Sequence, residues 1–225
     1  MQKRNSRDVP DGKLQDAVRD IRKGKLIAIY DGDEREGEAD LVFHAGFATP
    51  KKIEILRKDA GGLICLAVDK GITERFSLPF FSDIILNSSY ELKTMLCKKT
   101  AYGDKPAFSV PINHRNVYTG ITDNDRSLTI KKFSELAESG EGKQDFCNNF
   151  YVPGHIFLLI GSGIENRRGH TELSLELARR AGISGTMVLC EMLGKGKALS
   201  KQKVKEYCRK KGIMFIEGRE IYGRK

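Results

Sequence analysis

Short apolar segments alternate with amphipathic, helix-type segments along the whole chain, and this alternation limits the fold more than any other feature. A short apolar run bounded by glycine or polar residues is typical of a buried strand, whereas apolar residues three and four positions apart indicate a helix. The predicted strands cover residues 26–30, 62–69, 154–160, 186–191 and 213–216, with an extended stretch over 106–121. The predicted helices begin near residues 14, 50, 125, 170 and 200. This order predicts an α+β fold of layered type, a mixed β-sheet with helices packed on it, as a single domain over residues 1–225.

The composition fits a globular protein of a reducing compartment. Of the 225 residues, 40% are hydrophobic and 31% are charged, and no apolar run approaches the roughly 20 residues that cross a bilayer. The first residues lack the apolar stretch of a signal peptide. The five cysteines include no pair with metal or redox spacing, and Cys65 and Cys190 lie in apolar runs that predict buried thiols. We therefore expect a cytoplasmic protein without a membrane partner.

The net charge of +9 comes almost entirely from the C-terminal part of the chain. Residues 195–225 hold 11 basic and 3 acidic side chains, whereas the rest of the chain holds 28 and 27. Such a segment can bind polyanions, but the solvated face of a helix gives the same pattern. No aromatic-interleaved basic motif and no zinc-finger spacing supports nucleic-acid recognition, so nucleic acid is not an expected partner.

Six carboxylates crowd into ten residues directly after the first predicted strand, with Arg35 among them: Asp31, Asp33, Glu34, Glu36, Glu38 and Asp40. An acidic loop that contains glycine and follows a strand is a common place for the oxygen ligands of Mg²⁺. A solvated turn would have the same composition. This segment, however, lies between two apolar runs, 26–30 and 41–43, that we expect to be buried.

A second group of polar residues, 166–172, has the sequence NRRGHTE, with two adjacent arginines before a glycine and a helix start. Guanidinium groups bind phosphate through paired hydrogen bonds, and backbone N–H groups at a helix N-terminus add to such a site. His170 at this start can ligate a metal or relay a proton. A capped helix with a surface histidine is an equally good interpretation of this segment alone.

Three further positions carry candidate chemistry. His155 lies at the mouth of an apolar strand, where a histidine is more often structural than catalytic. Glu191 ends the apolar strand 186–191 and is either desolvated, which suits proton transfer, or exposed at the strand end. Thr119 and Gly120 can contact a phosphate, although this segment also fits a turn before a capped helix. Together the candidates describe a divalent metal, a phosphate clamp and two acid–base groups.

Five short motifs, taken in their order along the chain, resemble those of the 3,4-dihydroxy-2-butanone 4-phosphate synthases. They are DEREGEAD at 33–40, TGITDNDR at 119–126, PGH at 153–155, RGHTE at 168–172 and CE at 190–191. The resemblance extends from about residue 14 to 220, and the DNDR form is most similar to archaeal members. The length implies a stand-alone synthase without a fused GTP cyclohydrolase II domain.

The resemblance implies a lyase of riboflavin biosynthesis that converts ribulose 5-phosphate into 3,4-dihydroxy-2-butanone 4-phosphate and formate. It implies Mg²⁺ as cofactor, with Mn²⁺ as a substitute, and a homodimer with active sites near the subunit interface. By motif position, the metal ligands are Glu36 and His170, and the catalytic residues are His155 and Glu191. The implied substrate contacts are Arg35, Glu36, Asp40, Thr119, Arg167, Arg168, Gly169, His170, Thr171 and Glu191, with Asp31 and Asp33 as weaker candidates for the same site.

Two positions depart from the family pattern, and two other functions stay open. Ala39 stands where members usually have glycine, and it would be strained if its backbone needed a positive φ. Residues 192–197 replace an acidic Asp-Gly turn and make the rim of the site more basic. The alternative functions are another divalent-metal-dependent isomerase or lyase of sugar phosphates, which a formate assay separates, and a basic nucleic-acid-binding module built on residues 195–225.

Overall fold

Seven strands form one sheet in the computed structural model, which describes residues 12–96 and 105–223. The strands are β1 (Ile27–Tyr30), β2 (Ala39–His44), β3 (Cys65–Val68), β4 (Phe108–His114), β5 (Phe150–Ile160), β6 (Thr186–Glu191) and β7 (Met214–Glu217). The helices of these described ranges are α1 (Gly12–Arg22), α2 (Pro50–Ile55), α3 (Lys70–Phe76), α4 (Phe81–Leu86), α5 (Tyr90–Thr94), α6 (Asp123–Ser139), α7 (Lys143–Asn149), α8 (His170–Ala181), α9 (Lys201–Lys211) and α10 (Gly218–Tyr222).

The sheet is mixed, as the sequence predicts. Its strand order is β4-β5-β3-β6-β2-β1-β7. The pairs β3–β5 and β1–β7 are parallel, and the other neighbours are antiparallel. Because β6 and β2 are the fourth and fifth strands in this order, side chains on them lie near the middle of the sheet.

Helices cover both faces of the sheet and define two apolar cores. On one face Ile53 of α2, Phe133 of α6 and Val204 of α9 are fully buried against the strands. On the other face Ala17 of α1 and Leu177 of α8 are fully buried. Alternate strand residues point to opposite faces, so each central strand contributes to both cores. The predicted architecture of helices packed on a mixed sheet is confirmed.

Local signals in the sequence identify several element ends correctly. The Thr49 hydroxyl accepts a hydrogen bond from the Lys52 N–H, so Thr49 caps α2 as expected. A π-helical turn over Leu56–Ala60 extends that helix to Gly61, whose φ of +91° terminates it. The Cys65 and Cys190 thiols are buried, as predicted, and burial raises the pKa of both. Cys97 lies outside the described residues.

The prediction of one extended stretch over 106–121 is wrong in its second half. Strand β4 ends at His114, because the Asp125 carboxylate accepts the backbone N–H groups of Tyr118, Thr119 and Gly120 and turns the chain toward α6. Strand β5 begins at Phe150, earlier than predicted. In the described ranges the sequence interpretation also missed the short helices α3, α4, α5, α7 and α10.

No helix of the described residues is long and apolar enough to cross a bilayer. The basic helix α9 packs one side on the sheet through Val204 and Cys208, which are buried. Part of its charge is paired, since Lys201 Nζ lies 3.1 Å from Glu217 Oε2 and Lys205 Nζ lies 3.5 Å from Glu217 Oε1. The remaining lysines of α9 form the solvated face that the sequence favours.

Candidate active site

The acidic segment forms a loop between two paired strands. Strands β1 and β2 are antiparallel with Tyr30 opposite Ala39, so residues 31–38 form the loop that joins the end of β1 to the start of β2. Asp31 is 1% exposed and acts as the centre of this loop. Its carboxylate accepts backbone N–H groups of Gly32 (2.8 Å), Glu36 (3.1 Å) and Glu38 (3.1 Å). These bonds fix the loop so that the Glu36 side chain is presented beside α8.

His170 is the first residue of α8 and faces this loop. Its Nε2 lies 3.2 Å from the Glu38 carbonyl oxygen, to which it donates a hydrogen bond when the ring is neutral. That bond leaves Nδ1 with a lone pair, 3.7 Å from Asp40 Oδ1 and 3.9 Å from Glu36 Oε2. Burial alone lowers the pKa of His170, but the Asp40, Asp31 and Glu36 carboxylates outweigh it, and the net pKa is raised.

Asp31, Glu36 and His170 place one potential ligand atom each within 4.8 Å of one another. Oxygen ligands with one imidazole suit Mg²⁺ or Mn²⁺. The Nε2–H bond to a main-chain carbonyl is the support that a metal-binding histidine usually has. Asp40 Oδ1 is buried and has no hydrogen-bond partner among the described residues. The donor set and this unsatisfied oxygen therefore fit a bound divalent cation.

Burial also changes the protonation of the carboxylates. Asp40 is 1% exposed, and burial, reinforced by the charges of Glu191, Glu36 and Asp31, raises its pKa to about 7 despite the opposing effect of His170. Burial and the Glu36 carboxylate likewise raise the pKa of Glu38. An acid with a pKa near neutrality can both donate and accept a proton, which is the property that acid–base catalysis requires.

Glu191 lies directly opposite Asp40, because β6 pairs with β2 in that register. Its Oε2 accepts the backbone N–H of Leu63 at 2.9 Å, which fixes the carboxylate at the start of β3. Gly62 has no side chain, and a Cβ there would overlap the Glu191 carboxylate. Glu191 is half-buried rather than fully exposed at the strand end. Asp40, Glu191 and His170 therefore belong to one site.

The arginines of the predicted phosphate clamp have different partners. Arg167 Nη1 forms an ion pair of 2.9 Å with Glu172 Oε2, and the Glu172 side chain is fully buried. The guanidinium of Arg168 instead stacks 4.3 Å above the ring centre of Tyr222 in α10. Arg35 lies 3.6 Å from Asp31 through its Nε. Arg168 is therefore better placed than Arg167 to contact a phosphate.

Of the other residues in these two motifs, Gly169 and Thr171 lie at the site and Asp33 lies at the surface. Gly169 caps α8, and Thr171 is buried in its first turn, next to His170. Asp33 points away from the metal-ligand candidates, with 77% of its side chain exposed. It accepts the Tyr30 hydroxyl at 2.5 Å and lies 3.6 Å from Lys201 Nζ. The structure therefore brings Asp31 into the site and leaves Asp33 at its rim.

His155 and Thr119 form a second cluster two strands away. Strand β3 pairs Cys65 with Phe157 of β5 on one side and with Leu189 of β6 on the other. His155 and Glu191 thus lie two residues beyond these partners in the same direction, on strands about 10 Å apart. His155 is exposed, and it contacts Asn113 of β4.

The turn that carries Thr119 lies against the same asparagine. The backbone N–H of Thr119 donates to Asp125 Oδ2 at 3.2 Å, and its hydroxyl donates to the same oxygen at 3.3 Å. Gly120 has a φ of +92°, and a Cβ there would overlap the Asn113 side chain. The turn therefore presents Thr119 from a fixed backbone beside His155.

Comparison of this chain with known proteins identifies its family. The sequence profile of 3,4-dihydroxy-2-butanone 4-phosphate synthase matches residues 15–223. The chain belongs to this family. It is 46% identical to the 3,4-dihydroxy-2-butanone 4-phosphate synthase of Methanosarcina mazei, over 91% of this chain and 87% of that protein. It is 41% identical to that of Archaeoglobus fulgidus, over 92% of each chain.

Solved structures of the family have the same fold. A two-domain 3,4-dihydroxy-2-butanone 4-phosphate synthase from A. baumannii superposes with a TM-score of 0.77 at 26% identity, over 92% of this chain and 56% of that chain. A 3,4-dihydroxy-2-butanone 4-phosphate synthase in complex with two magnesium ions superposes with a TM-score of 0.75 at 23% identity, over 92% of this chain and 94% of that chain. The resemblance expected from five motifs is confirmed.

The structure also resolves one departure from the family pattern and adds residues that the motifs missed. Ala39 lies in β2, and among the described residues Ser77 is the only non-glycine with a positive φ. Ala39 is therefore not strained. Asn113 and Leu63 were not predicted, although both contact a candidate catalytic residue. For Asn113 the only signal was a polar residue near the end of a predicted extended segment.

Proposed function

We propose that this chain converts ribulose 5-phosphate into 3,4-dihydroxy-2-butanone 4-phosphate and formate, the step that its family supplies to riboflavin biosynthesis. The observation that carries this proposal is the juxtaposition of His170 Nδ1 with Glu36 and Asp40, with Glu191 in register beside Asp40. The five carbons of the substrate are divided between the four-carbon phosphate and formate, and no net water is consumed.

Glu36 and His170 would hold the metal, with Asp31 and Asp40 beside them. Mg²⁺ is the proposed ion and Mn²⁺ its substitute, because both prefer oxygen ligands. A family member of the same fold binds two magnesium ions. Bound here, the cation supplies positive charge that stabilises the negative charge developing on adjacent sugar oxygens. Arg35, near the same loop, adds a fixed positive charge to that region.

Proton transfers are assigned to Glu191 and His155, with Asp40 as an auxiliary acid. The Leu63 N–H holds one oxygen of Glu191, and the other is left to take a proton next to the substrate carbonyl. The substrate then loses water, rearranges its carbon skeleton and releases formate. These steps need more than one acid–base group, and the side chain of His155 in β5 is exposed.

The phosphate of the substrate is assigned to Arg168, with the start of α8 and Thr119. Arg168 is held by stacking on Tyr222, which keeps its hydrogen-bonding edge available. Gly169 and Thr171 contribute main-chain groups at the N-terminus of α8, where the helix dipole favours an anion. Binding energy from the phosphate would position the reacting carbons between Glu191 and the metal-ligand residues.

A homodimer is proposed because exposed apolar side chains lie close to His155 and Thr119 in the sequence. Tyr118 is 95% exposed, Val152 is 56% exposed and Ile121 is 52% exposed, and all three lie near His155 or Thr119 in the sequence. Contiguous exposed apolar groups usually mark an interface, and a second copy would exclude water from this part of the site. Sedimentation equilibrium tests this, and a monomer at micromolar concentration would contradict it.

Two predictions from the sequence remain predictions. One is that residues 1–225 form one synthase domain, and the other is that the protein is cytoplasmic. The single seven-stranded sheet supports the first. The free, buried thiols of Cys65, Cys190 and Cys208 are consistent with the reducing compartment assumed by the second.

The decisive experiment measures formate release from ribulose 5-phosphate with Mg²⁺, Mn²⁺ or EDTA. Formate is quantified with formate dehydrogenase, and the four-carbon phosphate is identified by mass spectrometry. Metal-dependent formate in equal amount to the four-carbon product is the expected result. Conversion to another pentose phosphate without formate would instead identify a metal-dependent isomerase and overturn the proposal.

A further inference from the structure

Asn113 is a buried polar side chain between the two segments that carry His155 and Thr119. It is 2% exposed and lies in β4, next to its last residue. Its Oδ1 accepts the backbone N–H of His155 at 2.9 Å. Its Nδ2 lies 3.0 Å from the Tyr151 hydroxyl and 3.1 Å from His155 Nδ1. Both donor hydrogens of the Asn113 amide and one acceptor position of its oxygen are therefore used within the protein.

These contacts define which way the amide faces. The backbone N–H of His155 must donate, so the carbonyl oxygen of Asn113 lies on that side. The NH₂ group then lies beside the imidazole, and Nδ2 is closer to Nδ1 (3.1 Å) than Oδ1 is (3.3 Å). An NH₂ group only donates, so His155 Nδ1 has to accept. The neutral ring consequently carries its proton on Nε2, away from Asn113.

The backbone around Asn113 is shaped to allow this contact. Strands β4 and β5 pair Ile112 with Ile156 and Asn113 with Tyr151, so residues 152–155 bulge out of β5. Within this bulge, Gly154 lies so close to the backbone of Ile112 and Asn113 that a Cβ would overlap it. The bulge removes His155 from the regular pairing of β4 with β5, and its ring contacts the Asn113 side chain.

We propose that Asn113 is a positioning residue that holds the His155 imidazole in the Nε2–H tautomer, directed out of the sheet toward the substrate. The inference rests on the proposed catalytic role of His155. Asn113 also contacts the turn that carries Thr119, because Gly120 packs on its amide. One buried side chain thus sets the orientation of the acid–base ring and the position of the neighbouring turn.

Asn113→Asp and Asn113→Leu separate tautomer control from simple packing. An aspartate still accepts the backbone N–H of His155, but it also accepts from Nδ1 and moves the ring proton there. A leucine of similar size removes both bonds. Asn149→Asp is the matched control, because Asn149 is exposed at the end of α7 and bonds only within that helix through its side chain.

The first measurement is ¹⁵N NMR of the histidine rings at about pH 9, where imidazoles are neutral. The chain has four histidines, and His155→Gln assigns the signals of interest. We expect the wild type and Asn149→Asp to show His155 with a protonated Nε2, Asn113→Asp to show a protonated Nδ1, and Asn113→Leu to show a mixture. An unchanged Nε2–H signal in both Asn113 variants overturns the proposal, whatever the activity.

The second measurement is the steady-state rate of formate release. We expect kcat of Asn113→Asp to fall about 10- to 100-fold with KM little changed, because the wrong ring nitrogen carries the proton. Asn149→Asp should retain the wild-type kcat. A wild type that releases no formate refutes the proposed function, while the NMR result still decides the tautomer. A changed tautomer with wild-type kcat refutes the positioning role.

Discussion

A buried imidazole lies near each end of the β2–β6 pairing, His170 of α8 at one end and His44 of β2 at the other, and the two ends differ in how the surrounding polar groups are satisfied. At one end, Asp40 pairs with Glu191, and His170 Nδ1 lies 3.7 Å from Asp40 Oδ1. The buried Asp40 Oδ1 there has no hydrogen-bond partner among the described residues. At the other end, where His44 pairs with Met187, the polar groups around the ring bond to one another.

His44 shows what a closed polar cluster looks like. Its Nδ1 accepts the Gly46 N–H at 3.3 Å, and its Nε2 lies 2.9 Å from Ser184 Oγ. The Ser184 hydroxyl donates in turn to Glu138 Oε1 at 2.9 Å. Because these bonds satisfy the ring, the cluster has a structural role. The His170 end, which we call the open end, has excess negative charge and an unsatisfied oxygen, and this combination fits a bound cation. The His44 end is called the closed end.

The largest expected effect comes from removing the imidazole at the open end. His170→Ala should lower kcat/KM for formate release at least about a hundredfold and weaken Mn²⁺ binding, since a metal ligand is lost. Mn²⁺ affinity is measured by electron paramagnetic resonance, and folding by circular dichroism. His44→Ala is the matched control and should keep both activity and Mn²⁺ affinity. Full activity of a folded His170→Ala variant would show that the His170 imidazole is not needed for formate release.

The next effect comes from displacing Glu191 without changing it. A Cβ at Gly62 would overlap the Glu191 carboxylate and would also lie 2.8 Å from the main-chain oxygen of Glu191, so Gly62→Ala shifts the whole residue. We expect kcat to fall about tenfold, and circular dichroism checks that the fold is retained. Gly71→Ala is the control, because its Cβ would make only an ordinary contact of 3.5 Å with Asp69 Oδ1. Equal kcat values for the two variants would show that the position of Glu191 is not critical.

Asp40→Asn tests the charge at the open end through stability. Burial raises the pKa of Asp40 to about 7, so the folded state binds a proton that the unfolded chain has lost. Its contribution to stability is therefore lost as pH rises from about 4 to 7. Relative to the wild type, Asp40→Asn should gain about 2 kcal/mol of unfolding free energy between pH 5 and pH 8. Urea unfolding in EDTA measures this, and a pH-independent difference would contradict it.

The smallest effect is expected from His44→Gln, at the closed end. Burial lowers the pKa of His44, so its stability contribution is present above the usual imidazole pKa and is lost as pH falls below it. At neutral pH the variant should lose about 1 kcal/mol of unfolding free energy, because one hydrogen bond is weakened. Its stability should also fall less steeply than that of the wild type as the pH decreases. Thermal unfolding from about pH 8 to pH 5 is the measurement. If the variant and the wild type lose stability equally as the pH falls, groups other than His44 cause that loss.

Sequence patterns predicted the parts of the fold that depend on local periodicity and capping. The central strands β3 and β6 contain apolar runs, 65–68 and 187–190, and Thr49-Pro50 marks a helix start from the side chain of one residue. Helices α4 and α5 were missed because neither contains a buried residue, so no amphipathic pattern exists to detect. The bulge before Ile156 was missed because it depends on pairing with β4, far away in the sequence.

The candidate site was predictable where its residues are charged and belong to motifs. Glu36, Asp40 and His170 were expected to meet, and they do. The Leu63 N–H that holds Glu191 was not predictable, because a backbone donor has no signature in the sequence. Asn113 was missed for a related reason, since its contact with His155 is tertiary and joins residues far apart in the sequence.

The central position of β2 and β6 has a consequence for local opening. Asp40 and Glu191 belong to strands that are hydrogen-bonded on both sides. Their amides should exchange with deuterium only when most of the sheet unfolds. Amides of Gly32, Glu36 and Glu38 bond instead to the Asp31 side chain within the 31–38 loop, so they should exchange through openings of this loop alone. Deuterium labelling would therefore separate slowly exchanging strands that carry Asp40 and Glu191 from a faster-exchanging loop that carries Glu36, within a single candidate site.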